Sequence, residues 1–67
     1  MIAKSRQREA AWILMDLQKA IRELREGRDA GISFARNRAR KFLVRNGDYK
    51  GDTYTNTQAV DHIRSYL

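Results

Sequence analysis

The chain has 67 residues, no cysteine, no proline and a formal net charge of +6. A chain this short forms one domain, which buries only about 60% of the surface that its unfolded state exposes. The absence of cysteine excludes disulfides and thiolate metal sites, and the single histidine, His62, leaves no zinc ligand set. We therefore expect no cofactor. Self-association into a homodimer is the remaining way to stabilise so small a core.

The positive charge is concentrated in the middle third of the chain. Residues 28–46 contain six cations and one acid, a net charge of +5, whereas residues 1–27 carry +2 and residues 47–67 carry −1. A localised excess focuses the electric field on one surface, which favours a polyanionic partner. No apolar run approaches the roughly 20 residues of a membrane span, so we expect no membrane partner.

Residues 5–26 predict a long first helix. Its apolar residues recur every three or four positions, at Ala10, Leu14, Leu17, Ile21 and Leu24, which is the pattern of one helix face, and Ile13 and Ala20 widen that stripe. Ser5 is the expected N-cap and Gly27 the expected C-cap. A core face within one bundle is preferred over a dimeric coiled coil because the pattern is short. This face is expected to supply most of the core through Leu14, Leu17, Ile21 and Leu24.

Trp12 and Met15 lie off this apolar stripe. Tryptophan and methionine are enriched in protein interfaces, so both are candidate anchors for a partner protein, together with Phe34 of the next helix. The alternative for Trp12, which the size of the core favours, is that it covers the core edge.

Residues 32–46 predict a second, two-sided helix. Ala35, Ala39, Phe42 and Leu43 fall on one side, and the cations collect on the other. There, Arg38, Lys41 and Arg45 form a row that begins at Phe34. The alternative is a β-hairpin over residues 41–55, because Asn46-Gly47 is a strong hairpin turn. The alanines and arginines that precede it are poor strand formers, which favours the helix.

A loop and a short closing helix, residues 56–67, complete the predicted bundle. Thr55 and Gln58 have the spacing of a capping box. Tyr49 and Tyr54 of the loop either stack on bases or, as we prefer, cover the core edge. His62 is expected on the surface without a partner beyond Asp61. The apolar face of this helix is expected to bury Val60, Ile63 and Leu67.

The segment Ala30-Gly31-Ile32-Ser33 resembles the turn of a helix-turn-helix module. In that module, the second helix buries apolar residues about six and nine positions after the turn glycine. Those positions are Asn37 and Arg40 here, so the resemblance stays local and no family is assigned.

These patterns predict a non-enzymatic, all-α three-helix bundle that binds nucleic acid, with DNA preferred over RNA. No catalytic motif is present. Arginine binds phosphate through a planar fork and can also read guanine, while asparagine can read adenine. The alternative is a protein-interaction module that docks on an acidic surface. Size and composition suit a phage- or plasmid-type protein of the cytoplasm. The candidate nucleic-acid-binding residues are Arg36, Asn37, Arg38, Arg40, Lys41 and Arg45.

Overall fold

The computed structural model describes residues 4–51 and 54–67, which form three α-helices. Helix α1 spans Lys4–Arg25, α2 spans Ala30–Arg45 and α3 spans Asn56–Arg64. α1 packs against both other helices, whereas α2 and α3 contact each other less. The predicted all-α three-helix bundle is confirmed. Within the described ranges, no helix is long and apolar enough to cross a membrane.

Two glycines end the first two helices in the same way. Gly27 and Gly47 adopt φ values of +84° and +68°, in the left-handed region that glycine occupies without steric cost. After α1, the Arg28 amide donates to the Glu23 carbonyl at 2.8 Å, and after α2 the Asp48 amide donates to the Leu43 carbonyl at 2.9 Å. These bonds are the long bonds of two Schellman motifs, so the predicted C-cap at Gly27 is confirmed.

The hairpin alternative for residues 41–55 is wrong. α2 continues through Arg45, and the structure assigns no strand to any residue it describes. Asn46 closes the helix because its side-chain amide donates to the Phe42 carbonyl at 2.7 Å. Asn46-Gly47 therefore ends a helix here, although the same dipeptide also makes hairpin turns.

The face of α1 that fills the core is one side of the predicted stripe, and the four leucine and isoleucine residues expected to supply most of the core are not all buried. Leu17 is buried as expected, but Leu14 and Ile21 are only partly buried, and Leu24 is 38% exposed. A Cβ atom placed on Gly31 would lie 3.9 Å from the Ala20 Cβ, so small residues face each other where the two helices meet. The buried positions of α1 are Ala10, Ile13, Leu17 and Ala20.

The predicted inner face of α2 is confirmed, since Ala35, Ala39, Phe42 and Leu43 are all buried. The predicted start was two residues late, because α2 begins at Ala30. The segment that resembles a helix-turn-helix turn is thus the first turn of α2. The predicted N-cap at Ser5 is also wrong, since Ser5 lies inside a helix that includes Lys4.

Helix α3 begins at the predicted capping box and ends earlier than expected. The Thr55 hydroxyl accepts the Gln58 amide at 3.1 Å, and the Gln58 side chain accepts the Thr55 amide at 2.9 Å. The helix ends at Arg64, and a turn then carries Tyr66 into the core, where its ring meets Phe42 edge-on. Leu67, expected in the core, is exposed because Tyr66 takes the buried position.

Candidate nucleic-acid interface

The candidate nucleic-acid-binding residues all lie on α2 and away from its buried face. Arg36 is half-buried, and the other members are exposed. Their side chains do not form one continuous row, because packing draws them toward two different neighbours. One group turns toward α1, and the other turns toward the segment that carries Tyr49 and Tyr54.

The group that turns toward α1 is paired with acids. Arg38 donates to the Asp16 carboxylate, and Arg45 donates to Glu9 at 2.5 Å. Glu9 and Asp16 are two helical turns apart on α1, with Trp12 between them on the same side. These two ion pairs connect α1 and α2, which run antiparallel. Because their members are all 41% exposed or more, each pair contributes only about 0–1 kcal/mol.

The group that turns toward the tyrosines contacts no acid that the structure describes. Arg36 donates to the Tyr54 carbonyl at 2.5 Å, and the Arg40 guanidinium lies 5.8 Å from the centre of the Tyr49 ring. The two tyrosine rings are tilted against each other with centroids 5.6 Å apart, and both pack on the core. These contacts leave most N–H groups of both arginines available to a ligand.

Lys41 lies on the flank of α2 that faces α1, near Arg38. It is exposed and forms no ion pair within the described ranges 4–51 and 54–67. Asn37 is likewise exposed one turn earlier on the helix. Arg40, Lys41 and Asn37 are therefore the candidate residues that combine exposure with freedom from a protein acid.

A groove runs along each flank of α2, and the two grooves differ in charge. The groove toward the loop, here called the tyrosine groove, has a volume of about 460 Å³ and is lined by Ser33, Phe34, Arg36, Asn37, Arg40, Tyr49 and Tyr54, among others. Its described lining contains no acid. The groove toward α1 includes Asp16 and Glu23 beside its cations. The tyrosine groove is thus the more electropositive of the two.

The three candidate protein anchors are all exposed. Trp12 is 63% exposed and Phe34 is 81% exposed, and Met15 is as exposed as Trp12. Trp12 and Met15 are neighbours on α1, whereas Phe34 stands on α2 at the mouths of both grooves. The preferred expectation that Trp12 covers the core edge is therefore not what the packing shows.

His62 is a polar side chain whose surroundings could not be predicted from the sequence. It was expected to be a surface residue without a partner, but its side chain is only 15% exposed and bonds at both nitrogens. Nε2 donates to Asp48 Oδ2 at 2.8 Å, and Nδ1 shares a hydrogen bond with the Tyr54 hydroxyl at 2.6 Å. Separations of 8 and 14 residues give no periodic signal, so only the tertiary fold could show these contacts.

Asp48 is the centre of this polar cluster. The Tyr66 hydroxyl donates to the same Oδ2 atom at 2.7 Å. The hydrogen bonds from Tyr66 and from His62 hold the pKa of the Asp48 carboxyl below its ordinary value of 3.8. Burial, followed by the bond to Asp48, raises the pKa of Tyr66 to about 12. The cluster ties the segment after α2 to α3 and to the C-terminal turn, so it fixes one wall of the tyrosine groove.

Within the described ranges, no group of three or more acidic or histidine side chains is placed to hold a metal ion. No protein-family model, curated protein or solved structure matches the chain. Function is therefore inferred from the geometry and charge of these surfaces.

Proposed function

We propose that the protein is a small, non-enzymatic nucleic-acid-binding protein that contacts phosphates through α2. The observation that carries this proposal is the exposed arginine-rich helix, whose flank toward the tyrosine groove meets no acid that the structure describes. Phosphate oxygens would bind the cations there without displacing a protein carboxylate. Arginine supplies forked donors for this purpose, and lysine supplies a compact charge.

The arginines that face α1 would contribute less. An approaching phosphate competes with Asp16 for Arg38 and with Glu9 for Arg45. Because those ion pairs are exposed and weak, the competition is feasible, but it lowers the net gain of each contact. Arg36, Arg40 and Lys41 are the principal phosphate ligands in this proposal. DNA is the expected polymer, and the cytoplasm is the expected location.

The test is binding of a fluorescently labelled oligonucleotide, measured by anisotropy at low and moderate salt. The double variant R40E/K41E should lose binding, because it reverses two cations that have no acidic partner within the described ranges. The variant R22E/R25E is the matched control, since it changes the net charge equally on α1. Circular dichroism of all three proteins checks that the helices persist.

The wild-type binding constant should fall as the salt concentration rises. In a plot of the logarithm of the binding constant against the logarithm of the salt concentration, each phosphate contact contributes a slope of roughly −0.7 on a single strand or −0.9 on a duplex. Equal loss in both double variants would indicate nonspecific attraction to a cationic protein. Binding that survives R40E/K41E would remove α2 from the site. Charge reversal at Arg38 or Arg45 is a poorer test, because it would also place two acids side by side between α1 and α2.

The exposure of Trp12, Met15 and Phe34 favours a second candidate function, docking on an acidic surface of another protein. In this case all three residues would be anchors that the partner protein buries, and the arginines would accelerate the encounter with that protein. Absence of any oligonucleotide binding at low salt, together with a co-purifying protein, would favour this candidate. Sedimentation of the isolated chain tests whether a second copy of the chain covers the anchors.

A further inference from the structure

The tyrosine groove has a chemical character that a simple phosphate-binding helix would not need. Its volume of about 460 Å³ falls within the range of about 300–1,000 Å³ typical of small-ligand sites. Besides its arginines, it contains the apolar side chains of Ala39 and Leu43 and the rings of two tyrosines. A purely ionic contact with a duplex backbone uses none of these groups. The groove is therefore suited to a ligand that has both an anionic part and a flat apolar part.

Phe34 supplies an accessible aromatic face at the mouth of this groove. It is 81% exposed, the highest value among the large hydrophobic side chains that the structure leaves on the surface. Phe34 begins the cationic row on α2, and Arg36 and Asn37 also line the groove beside it. Stacking of an aromatic ring on a base needs an exposed ring close to cations that hold the backbone, and this arrangement provides both.

The polar groups around the groove supply the remaining contacts that a nucleotide needs. The Arg40 guanidinium lies over the Tyr49 ring, so the groove already holds a cation against an aromatic face. Arg36 is held by the Tyr54 carbonyl at 2.5 Å, which fixes its position on the rim. Asn37 carries an amide that can donate to and accept from a base edge.

We propose that the tyrosine groove binds an unpaired nucleobase of a single-stranded nucleic acid. Phe34 stacks on the base, and Arg36 and Arg40 contact the adjoining phosphates. The inference rests on the proposed function and specifies the form of nucleic acid. The bases of a duplex keep their faces stacked on each other, so a protein aromatic ring reaches them only when the strand is single or opened.

The distribution of ion pairs on α2 supports binding of a single strand in the tyrosine groove. A duplex lying along α2 would draw on Arg38, Lys41 and Arg45 together, but two of these three residues are paired with acids of α1. The groove side has no described acid. A single strand that follows the groove side therefore meets the cations that are most available.

The experiment compares full-length wild type with F34A and W12A, using a labelled single-stranded DNA of mixed sequence, its RNA counterpart and the corresponding DNA duplex. Both variants remove an exposed aromatic side chain from a helix, but only Phe34 lines the groove. Wild type should bind the single strands more tightly than the duplex. F34A should weaken single-strand binding by about 5- to 150-fold, the effect of losing one stacked base, and W12A should bind within about twofold of wild type.

Each alternative outcome contradicts either the groove assignment or the proposed function. If the duplex is bound as tightly as the single strand, or if F34A binds the single strand like wild type, the groove assignment is wrong while nucleic-acid binding by α2 stands. Equal weakening in F34A and W12A would replace the groove with a broader apolar surface and overturn the assignment. If no nucleic acid is bound at low salt, the proposed function itself is wrong, and the inference fails with it.

Discussion

Asp48 accepts hydrogen bonds from His62 and Tyr66, two side chains that follow it by 14 and 18 residues in the chain. Asp48 directly follows Gly47 in the Schellman motif that ends α2, so the backbone of that motif sets the position of its carboxylate. Each polar atom of the His62 ring is satisfied, which matters because an unpaired buried polar group costs about 1–3 kcal/mol. Nothing in the sequence near Asp48 indicates these partners.

Replacement of Tyr66 by phenylalanine tests this cluster. The ring would keep its packing on Phe42 and lose its bond to Asp48, so Y66F should lower the free energy of unfolding by about 1–2 kcal/mol at neutral pH. The measurement is urea unfolding followed by circular dichroism. A double-mutant cycle with Y66F, D48N and Y66F/D48N separates the free energy of the contact between Tyr66 and Asp48 from the effect of each side-chain change.

The pH dependence of the same variant has a defined sign. The pKa of Tyr66 is raised from 10.0 to about 12, so the folded state holds this proton more tightly than the unfolded state. The resulting stability is fully present below pH 10 and is lost as the pH rises toward about 12. The advantage of wild type over Y66F should therefore shrink across that window. An advantage that stays constant to pH 12 would contradict the assignment.

At the scale of elements, the orientation of α1 shows how packing selects among similar faces. The three- and four-residue spacing predicted an amphipathic helix correctly, but several overlapping stripes satisfy the same spacing. Ala10, Ile13 and Ala20 belong to the predicted stripe and are buried, and Ala20 faces Gly31 of α2 where the two helices come close. Leu24 stays partly exposed near the end of the helix. Periodicity located the stripe, and the packing of α2 and α3 against α1 decided which of its residues are buried.

Two leucine-to-alanine variants on α1 test the observed orientation. L17A removes a fully buried side chain and should cost about 2–5 kcal/mol, whereas L24A removes a partly exposed one and should cost less than about 1 kcal/mol. The two changes are chemically identical and lie on the same helix, so each serves as the control for the other. Urea unfolding midpoints measure the difference. Equal costs would support the face predicted from the sequence instead.

At the scale of the whole molecule, the core is small and lies where α1 meets α2 and α3. Phe42, Ile13, Leu17, Leu43 and Ile63 are its largest fully buried side chains. A core of this size supplies a net stability of only about 3–5 kcal/mol. One large cavity can therefore remove most of the stability, and cooperative unfolding of all three helices is expected.

Replacement of Phe42 by alanine should unfold the protein at 25 °C, because the expected cost of about 3–5 kcal/mol equals the whole expected stability. The measurement is the far-ultraviolet circular dichroism of the purified chain. F34A is the matched control, since it makes the same chemical change at an exposed position of the same helix and should keep the helices. A folded F42A protein with near wild-type stability would show that this residue is not central to the core.

The sequence by itself determined the helical class, the inner face of α2, the capping box at Thr55 and the ending of α1 at Gly27, because these depend on neighbours within a few positions. It also located the excess charge between residues 28 and 46. Only the tertiary structure decided how that charge is divided, since Asp16 and Glu9 pair with Arg38 and Arg45 across a helix contact. The tyrosine groove is likewise tertiary, because the Asp48 cluster positions its wall through contacts distant in the chain.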